Sequence, residues 1–314
     1  MKVFDEAAVH AGLPYGPLIE ALIQHHRRDI DARGKAMLSL PSSEGGSEDN
    51  FLALPAWQKG RAIGAKLVSV FPENEKNGSG LPSIQGVYVL FSGMDGSVQA
   101  VIEGASFTLR KTAGDSAMGA RFLARRDAQR MLMVGAGALG PHLIQAHVAA
   151  TPSIKEVMVW NRTPARAEAL VRDLSVDGVT ITPTEDLEGA ARQADVISCA
   201  TMATDPLILG EWLKPGVHLD LVGSFRPDMH ECDEEAIRRA SVFVDSPWSA
   251  LEDCGEILSA FASGALTRES ILADSFDFAR GHHAGRSSDD EITIFKNGGG
   301  GHLDLMVAQV LAGQ

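Results

Sequence analysis

The chain has 314 residues, of which 45% are hydrophobic, and its mean hydropathy is close to zero. This length and composition predict a globular protein with two domains. The formal net charge of -13 would repel a phosphate backbone, so we expect no nucleic-acid partner.

The cysteines and the amino terminus indicate a cellular compartment. Cys199, Cys232 and Cys254 are odd in number and lack metal-ligand spacing, which favours free thiols in a reducing cytoplasm and no bound metal. The pair His282-His283 lies in a polar segment without a ligand partner at fixed spacing. No signal-peptide core or membrane-length apolar run occurs, so we expect no membrane partner.

The first third of the chain predicts helix followed by sheet. Residues 5–31 have helical spacing and predict a short turn and then one helix ending near "HHRR". Five β-like runs follow: "AMLSLP", "FLALPAW", "AIGAKLVSVFP", "IQGVYVLFS" and "VQAVIEG". They indicate a mixed, largely antiparallel sheet with a hairpin closed at Asp95-Gly96.

The pattern changes after the predicted helix "FTLRKTAGDSAMGARFLARRDA". Strand-like runs, among them "RMLMVGAG", "EVMVWN", "ADVISCAT", "HLDLVG" and "SVFVDS", then alternate with helical segments. This predicts an α/β fold with a doubly wound parallel sheet. We expect one domain from residues 1–118 with 295–314, including a final helix that folds back, and a Rossmann domain from 119–294.

The run "MLMVGAGALG" carries a dinucleotide-binding pattern. Gly135, Gly137 and Gly140 have G-x-G-x-x-G spacing between an apolar strand and a helix. In that context the first glycine serves the tight turn, the second lets the pyrophosphate approach, and the third lets helix pack on strand.

The next strand ends without the carboxylate that normally binds the adenosine ribose of NAD. Asn161, Arg162 and Thr163 stand there, with Arg166 one turn later. An arginine in place of an acid favours the 2′-phosphate of NADP(H) over NAD(H). The small polar residues of "SCATMATDP" are expected on the nicotinamide side.

Five motifs together resemble the ornithine cyclodeaminase and mu-crystallin family: "GAKLVSVFP", "FTLRKTAGDSAMGARFLARRDA", "MVGAGALG", "VWNRTPARAEAL" and "FKNGGGGHLDLM". The resemblance implies a Rossmann domain and an α+β domain that binds substrate and forms a homodimer by pairing sheets. Family activities include ornithine cyclodeamination, alanine dehydrogenation and reduction of cyclic ketimines, and one member binds thyroid hormone.

The resemblance also implies site residues. The family's substrate lysine matches Lys66, and its carboxylate-binding arginine falls on the Arg110/Lys111 pair, with Lys111 at the matching position. A further basic residue is either Arg33 or Lys35. The implied cofactor contacts, including the residues argued above, are Thr112, Gly135, Ala136, Gly137, Ala138, Leu139, Asn161, Arg162, Thr163, Arg166, Cys199, Ala200, Thr201 and Val222.

One departure separates the chain from ornithine cyclodeaminases. In "LVGSFRPDMHE", Phe225 occupies the family's catalytic aspartate position, and Asp228 could replace it only after loop rearrangement. A phenyl ring cannot accept a proton or bind the ornithine ammonium. It could instead pack, or form an apolar wall against a cyclic substrate.

These features predict an NADPH-dependent reductase of Δ1-pyrroline-2-carboxylate and Δ1-piperideine-2-carboxylate, giving L-proline and L-pipecolate. Lys66, Arg110, Lys111 and Asn297 are the expected catalytic-site residues. Glycines 298–301 would let the backbone approach the nicotinamide and begin the last helix, where His302 and Asp304 are interpreted as a capping pair.

Three alternatives remain at the level of the sequence. They are ornithine cyclodeamination, an alanine-type amino-acid dehydrogenase, and a non-catalytic crystallin-like protein that binds NADPH and a small ligand. Lys66 and the Arg110/Lys111 pair weigh against pure binding, because a catalyst must orient a carboxylate substrate.

Overall fold

The computed structural model describes residues 1–32, 34–41, 48–75, 78 and 80–314, with only the backbone of Glu75. The chain forms two compact units. The first contains residues 1–14, 28–111 and 300–314, and the second contains residues 15–27 and 112–299.

The first unit contains a six-stranded sheet. Its strands are β1 (Lys2–Phe4), β2 (Ala36–Pro41), β3 (Glu48–Gln58), β4 (Ala62–Val70), β5 (Ile84–Ser92) and β6 (Val98–Glu103). They lie in the order β1-β6-β5-β4-β3-β2 and are antiparallel except for β1, which runs parallel to β6. The expected mixed sheet and hairpin are confirmed, and Gly96 supplies a φ of 73° in the turn. The sequence prediction missed the short strand β1.

Helices cover one face of this sheet. They are α1 (Glu6–Gly12), the start of α3 (Gly104–Leu123) and α11 (Gly301–Ala312), which packs on β3, β4 and β5. Tyr88, Leu90 and Ile102 point into the resulting core and are fully buried. Because side chains alternate along a strand, the residues between them face the other side of the sheet.

The second unit is built on an eight-stranded sheet. Its strands are β7 (Arg130–Val134), β8 (Glu156–Trp160), β9 (Thr180–Thr184), β10 (Val196–Cys199), β11 (His218–Leu221), β12 (Ser241–Val244), β13 (Ile271–Asp274) and β14 (Thr293–Lys296). All are parallel, in the order β13-β12-β14-β11-β10-β7-β8-β9. The predicted doubly wound α/β fold is confirmed, although β9, β13 and β14 were missed.

Eight further helices belong to this unit: α2 (Tyr15–His26), α4 (Gly140–Ala150), α5 (Pro164–Asp173), α6 (Leu187–Gln193), α7 (Glu234–Arg239), α8 (Ala250–Asp253), α9 (Gly255–Ser263) and α10 (Ser275–Arg280). Short 3-10 turns cover Pro72–Glu75 in the first unit, and Gly210–Trp212 and Arg268–Ser270 in the second. β7 lies between β8 and β10, so the order of connection reverses there. In doubly wound sheets ligands bind at such a switch point, outside the carboxyl ends of the strands.

Two expectations about the amino-terminal part differ from the structure. The predicted helix ending near "HHRR" is confirmed as α2, which ends at His26, but the short turn expected before it is the helix α1; Pro14 between the two lacks the amide hydrogen that a continuous helix needs. The compact units also differ from the predicted domains: residues 15–27 join the second unit, since α2 packs on α4 and α10.

Two general features concern the cysteines and the helices. Cys199, Cys232 and Cys254 are buried free thiols. Among the described residues, no helix combines the length and apolar character needed to cross a bilayer. The cytoplasmic location stays a prediction from composition.

Candidate active site

The glycine loop after β7 has the geometry of a phosphate-binding turn. Gly135 has a φ of 109°, and its amide donates to the Trp160 carbonyl at 2.9 Å. A Cβ at Gly135 would lie 2.5 Å from the Ala200 carbonyl oxygen, so no larger residue fits. The turn therefore depends on glycine for both conformation and space.

Gly137 and Gly140 complete the loop in different ways. A Cβ at Gly137 would meet no atom within 4 Å, which leaves this backbone open to a ligand. At Gly140 it would lie 2.9 Å from the Gly135 carbonyl and 3.0 Å from the Leu170 side chain, so the glycine permits close packing. Ala138 and Leu139 lead into α4, which has no acidic residue in its first turn. These features fit the pyrophosphate of a dinucleotide.

Asn161 connects the end of β8 to the glycine loop. Its Oδ1 accepts from the Ala136 amide at 3.1 Å, and its Nδ2 donates to the Thr163 carbonyl at 3.0 Å. Arg162 and Arg166 are exposed, and neither guanidinium has a hydrogen bond or ion pair to another described residue. Asn161 thus orders the strand end and leaves two cations free beside it.

The loops after β10 and β11 are joined by one buried carboxylate. Glu231 Oε1 accepts from the Thr201 amide at 2.7 Å and from the Thr201 hydroxyl at 3.0 Å, and Oε2 accepts from the Gly223 amide at 2.6 Å. Between these anchors, the Val222 amide donates to the Cys199 carbonyl at 2.9 Å. The predicted contacts Cys199, Ala200, Thr201 and Val222 therefore lie together at the carboxyl edge of the sheet.

Burial and one ion pair set the pKa values of the titratable groups at this edge. It raises the pKa of Glu231 to about 7, against the opposing effects of Lys296 and of the two amide donors. Lys296 forms a fully buried ion pair with Glu256 at 3.1 Å, which holds the lysine pKa above its usual value. Burial also raises the pKa of Cys199 well above its ordinary range. Such a thiol is a small core side chain and a poor nucleophile.

Asn297 and the glycine run have positions that the sequence did not predict. Asn297 Nδ2 donates to the Thr112 carbonyl at 3.1 Å and to the Ser116 hydroxyl at 3.0 Å, so both amide hydrogens bind α3 and only Oδ1 remains for another contact. Gly298 packs against Ala250, where a Cβ would lie 2.6 Å from the backbone nitrogen. Packing and positive φ, at Gly299 and Gly300, explain these glycines within the protein itself.

In the first unit, Lys66 extends from the helix-covered face of β4. Its Nζ donates to the Thr108 hydroxyl at 2.8 Å, and that hydroxyl donates to the Gly104 carbonyl at 2.7 Å. Burial lowers the pKa of Lys66 to about 8, with Asp304 opposing and Lys111 adding to this effect. The prediction that Lys66 is not fully exposed is confirmed.

Lys111 and Arg110 point to different partners. Lys111 Nζ lies 3.0 Å from Asp304 Oδ1, and both side chains are almost completely buried. Arg110 Nε instead donates to His10 Nδ1 at 2.9 Å. The expected Arg110/Lys111 pair is thus divided, because successive residues on a helix point about 100° apart, and Lys111 is the member that pairs with Asp304.

The interpretation of Asp304 as a helix cap is wrong. Gly300 is the residue before the first turn of α11, and no side chain there caps an amide. Asp304 pairs with Lys111 instead. His302, two residues before Asp304, is buried as well. The fully buried Tyr88 lies opposite Lys66 in the pairing of β4 with β5, and its hydroxyl has no hydrogen-bond partner among the described residues.

The remaining described candidates, Phe225, Asp228 and Lys35, lie on the surface. Phe225 is 53% exposed, and Asp228 forms a two-bond ion pair with Arg226 at 2.9 and 3.0 Å. Asp228 therefore does not replace the aspartate that Phe225 displaces. Lys35 is exposed, and Arg33 lies outside the described residues.

Comparison with known proteins identifies the family. The model of the ornithine cyclodeaminase/mu-crystallin family matches residues 17–312, and the chain belongs to this family. A Δ1-pyrroline-2-carboxylate reductase of Paracoccus denitrificans is 41% identical over 300 residues, covering 96% of this chain and 92% of the relative.

Two solved structures have the same fold over the whole chain. The Δ1-pyrroline-2-carboxylate reductase of Thermococcus litoralis, in complex with NADH and L-proline, has a TM-score of 0.89 at 25% identity and covers 100% of this chain and 97% of its own. An archaeal alanine dehydrogenase dimer with bound NAD has a TM-score of 0.87 at 25% identity, with 100% and 95% coverage. The family prediction is confirmed.

Sequence reasoning missed three participants in the site geometry. Tyr88 lies within an ordinary apolar strand, Thr108 precedes the cationic motif, and Glu231 follows the mixed segment "GSFRPDMH". Of these three residues, only Tyr88 had a signal in the sequence, namely Gly64, a glycine inside a strand two residues before Lys66. A Cβ there would lie 2.1 Å from the Tyr88 hydroxyl, so the glycine makes room for that ring.

Proposed function

We propose that the protein is an NADPH-dependent reductase of cyclic ketimine acids, converting Δ1-pyrroline-2-carboxylate to L-proline and Δ1-piperideine-2-carboxylate to L-pipecolate. The observation that carries this proposal is a set of two lysines, the part-buried Lys66 and the buried Lys111, and one carboxylate: Asp304 pairs with Lys111 and also acts electrostatically on Lys66. Two cations facing one anion leave a positive charge for the carboxylate of a substrate, since buried charges are stable only when paired.

The relatives support the same substrate class. The Paracoccus denitrificans relative is named for Δ1-pyrroline-2-carboxylate reduction, and the Thermococcus litoralis enzyme of that name was solved with NADH and L-proline. A five-membered cyclic imino acid and its reduced product are thus the chemistry to test first on this chain.

The reaction asks little of the protein beyond binding and charge. A reduced nicotinamide, when bound, supplies the hydride that adds to C2 of the ketimine, while the ring nitrogen takes up a proton. Lys66 and Lys111 would hold the substrate carboxylate. The positive charge of Lys66 would also stabilise the electron pair of the C=N bond as it moves onto the ring nitrogen. The glycine loop and the Glu231-anchored loops would hold the cofactor.

We infer a preference for NADPH over NADH from the end of β8. A carboxylate is missing there, Asn161 is occupied by backbone contacts, and the guanidinium groups of Arg162 and Arg166 are free to bind a phosphate. Both solved relatives carry the non-phosphorylated dinucleotide, so this preference would be a property of the present chain.

Ornithine cyclodeamination is the less favoured alternative. Phe225 offers no base, and Asp228 is bound to Arg226 on the surface. An open-chain imino acid, as formed from pyruvate and ammonium, would present the same carboxylate to the two lysines. The resemblance in fold to an alanine dehydrogenase makes this second activity a required comparison.

A homodimer would explain the exposed apolar residues on one face of the six-stranded sheet. Phe51, Trp57 and Val87 are apolar and 38% to 55% exposed on the face away from α11. Leu67 and Val89 lie on this face between them, so the apolar surface is continuous across three strands. A second copy of the chain is the partner we propose, by analogy with the dimeric alanine dehydrogenase.

The test is consumption of NADPH by the purified protein with each cyclic ketimine, with pyruvate plus ammonium, and with L-ornithine plus NAD. We expect turnover of a ring substrate and an NADPH-selective rate. Lys66→Met should lower kcat/KM by about a hundredfold, because it removes a charge contact to the carboxylate. The exposed Lys59→Met is the matched control. Proline formed from ornithine, or no turnover of either ring, would contradict the proposal.

A further inference from the structure

The carboxylate of Asp304 is enclosed beside Lys111 and acts electrostatically on Lys66. Its side chain is 1% exposed, and the ammonium of Lys111, 6% exposed, lies 3.0 Å from Oδ1. Asp304 is in the first turn of α11, where the helix dipole favours negative charge.

Lys66 is the less completely paired of the two cations. The only hydrogen-bond acceptor of its Nζ among the described residues is the Thr108 hydroxyl, a neutral group. The charged groups that act on it are Asp304 from α11 and Lys111 from α3. Its register partners on the adjoining strands are Leu54 of β3 and Tyr88 of β5. Among the described residues, Asp304 is the carboxylate whose charge raises the pKa of Lys66.

The structure therefore points to a positioning role for Asp304, an inference that rests on the proposed function. We infer that Asp304 holds Lys111 and supports the charge of Lys66, so that an incoming substrate carboxylate completes a set of two cations and two anions. Binding of that carboxylate is then coupled to proton uptake by Lys66.

The physical reason for the coupling is the incomplete pairing in the free protein. Burial lowers the pKa of Lys66 to about 8, so about half of the molecules carry a neutral Lys66 at pH 8. A second negative charge within contact distance favours the ammonium and raises that pKa. The complex must therefore take up a proton wherever the free lysine was partly neutral.

The first measurement is titration of the full-length protein with pyrrole-2-carboxylate, a planar ring carboxylate, by calorimetry in two buffers that differ in ionisation enthalpy. We expect uptake of about 0.5 proton per bound ligand at pH 8 and almost none at pH 6.5. Lys66→Met should abolish the uptake. Binding at pH 8 without uptake would overturn the inference and leave the reductase proposal standing.

The second measurement separates positioning from a purely structural ion pair. In Asp304→Asn the alkaline limit of kcat/KM for the ketimine should move down by about one pH unit or more, since the lysine loses its supporting charge. Asp304→Glu should restore the wild-type profile, and the exposed Asp127→Asn serves as control. A lower melting temperature with an unchanged pH profile would mean that Asp304 is structural only.

The two proposals fail in different ways. A protein that neither binds the ring carboxylate nor reduces a ketimine contradicts the proposed function, and this inference falls with it. A protein that reduces the ketimine normally, but shows no proton uptake on ligand binding and no profile shift in Asp304→Asn, contradicts the inference alone.

Discussion

Replacement of Glu231 by glutamine should change how the stability of the protein depends on pH. The carboxyl group is fully buried and accepts three hydrogen bonds, from two loops that follow neighbouring strands. Burial raises its pKa from 4.5 to about 7, which corresponds to about 3 kcal/mol between folded and unfolded states. Glutamine has no charge to lose, so it removes this titration.

The sign of the effect follows from the direction of the pKa. A carboxyl group with a raised pKa in the folded state stabilises that state below pH 4.5, and the contribution is lost as the pH rises through 7. The unfolding free energy of the wild type minus that of Glu231→Gln should therefore fall by about 3 kcal/mol between pH 4.5 and 7. Outside this window the difference should be constant.

Urea unfolding of both proteins at intervals from pH 4 to 8 measures this difference. Other buried groups titrate as well, among them His26, whose pKa burial lowers to about 4, but they are present in both proteins and cancel on subtraction. The exposed Glu185→Gln is the matched control and should give a constant difference. Parallel curves for wild type and Glu231→Gln would refute a raised pKa at Glu231.

Four further predictions concern the cofactor site and the assembly. Gly135→Ala should destabilise the protein by about 1–3 kcal/mol in urea unfolding, because a positive φ and the Ala200 carbonyl oppose a methyl group. Gly137→Ala should alter the free energy of unfolding by only about 0.5 kcal/mol and raise the KM for NADPH about tenfold, because a methyl group there meets no protein atom but would obstruct the cofactor. Equal losses of stability in the two variants would contradict the loop geometry. Arg162→Asp should lower the ratio of kcat/KM for NADPH over NADH about a hundredfold, because a carboxylate repels the 2′-phosphate; an unchanged ratio would remove the argument for NADP. Phe51→Glu should convert a dimer into monomers in sedimentation, because it places a charge on the apolar face of the sheet. Met94→Glu, at an exposed residue of the hairpin turn, is the control and should leave the dimer intact.

The cofactor half of the candidate site could be predicted from sequence because its determinants are local. Gly135, Gly137 and Gly140 lie within one turn, and their separate roles follow from φ, open space and helix packing. Asn161 lies at the predicted strand end, although its bond to the Ala136 amide required coordinates. The short strands β9, β13 and β14 were missed because four or five residues carry too little periodicity.

The substrate half depends on residues that the chain brings together from separate elements. Lys66 lies on a strand, Lys111 on α3 and Asp304 on the final helix. Their spacing in sequence carries no information about contact. Nothing in the sequence therefore indicates that Asp304 pairs with Lys111 and does not cap the final helix. Likewise, no pattern indicated that Lys111 points to Asp304 while Arg110 points to His10; the rotation of the helix decides this.

The sequence by itself therefore determined the family, the doubly wound sheet and the glycine loop, since these depend on periodicity and on motifs of a few adjacent residues. Only the tertiary structure decided which charges are paired. Burial raises the pKa of Glu231 in the second unit and lowers that of Lys66 in the first. Each shift arises because segments distant in sequence, folded within one unit, exclude water from the titrating group.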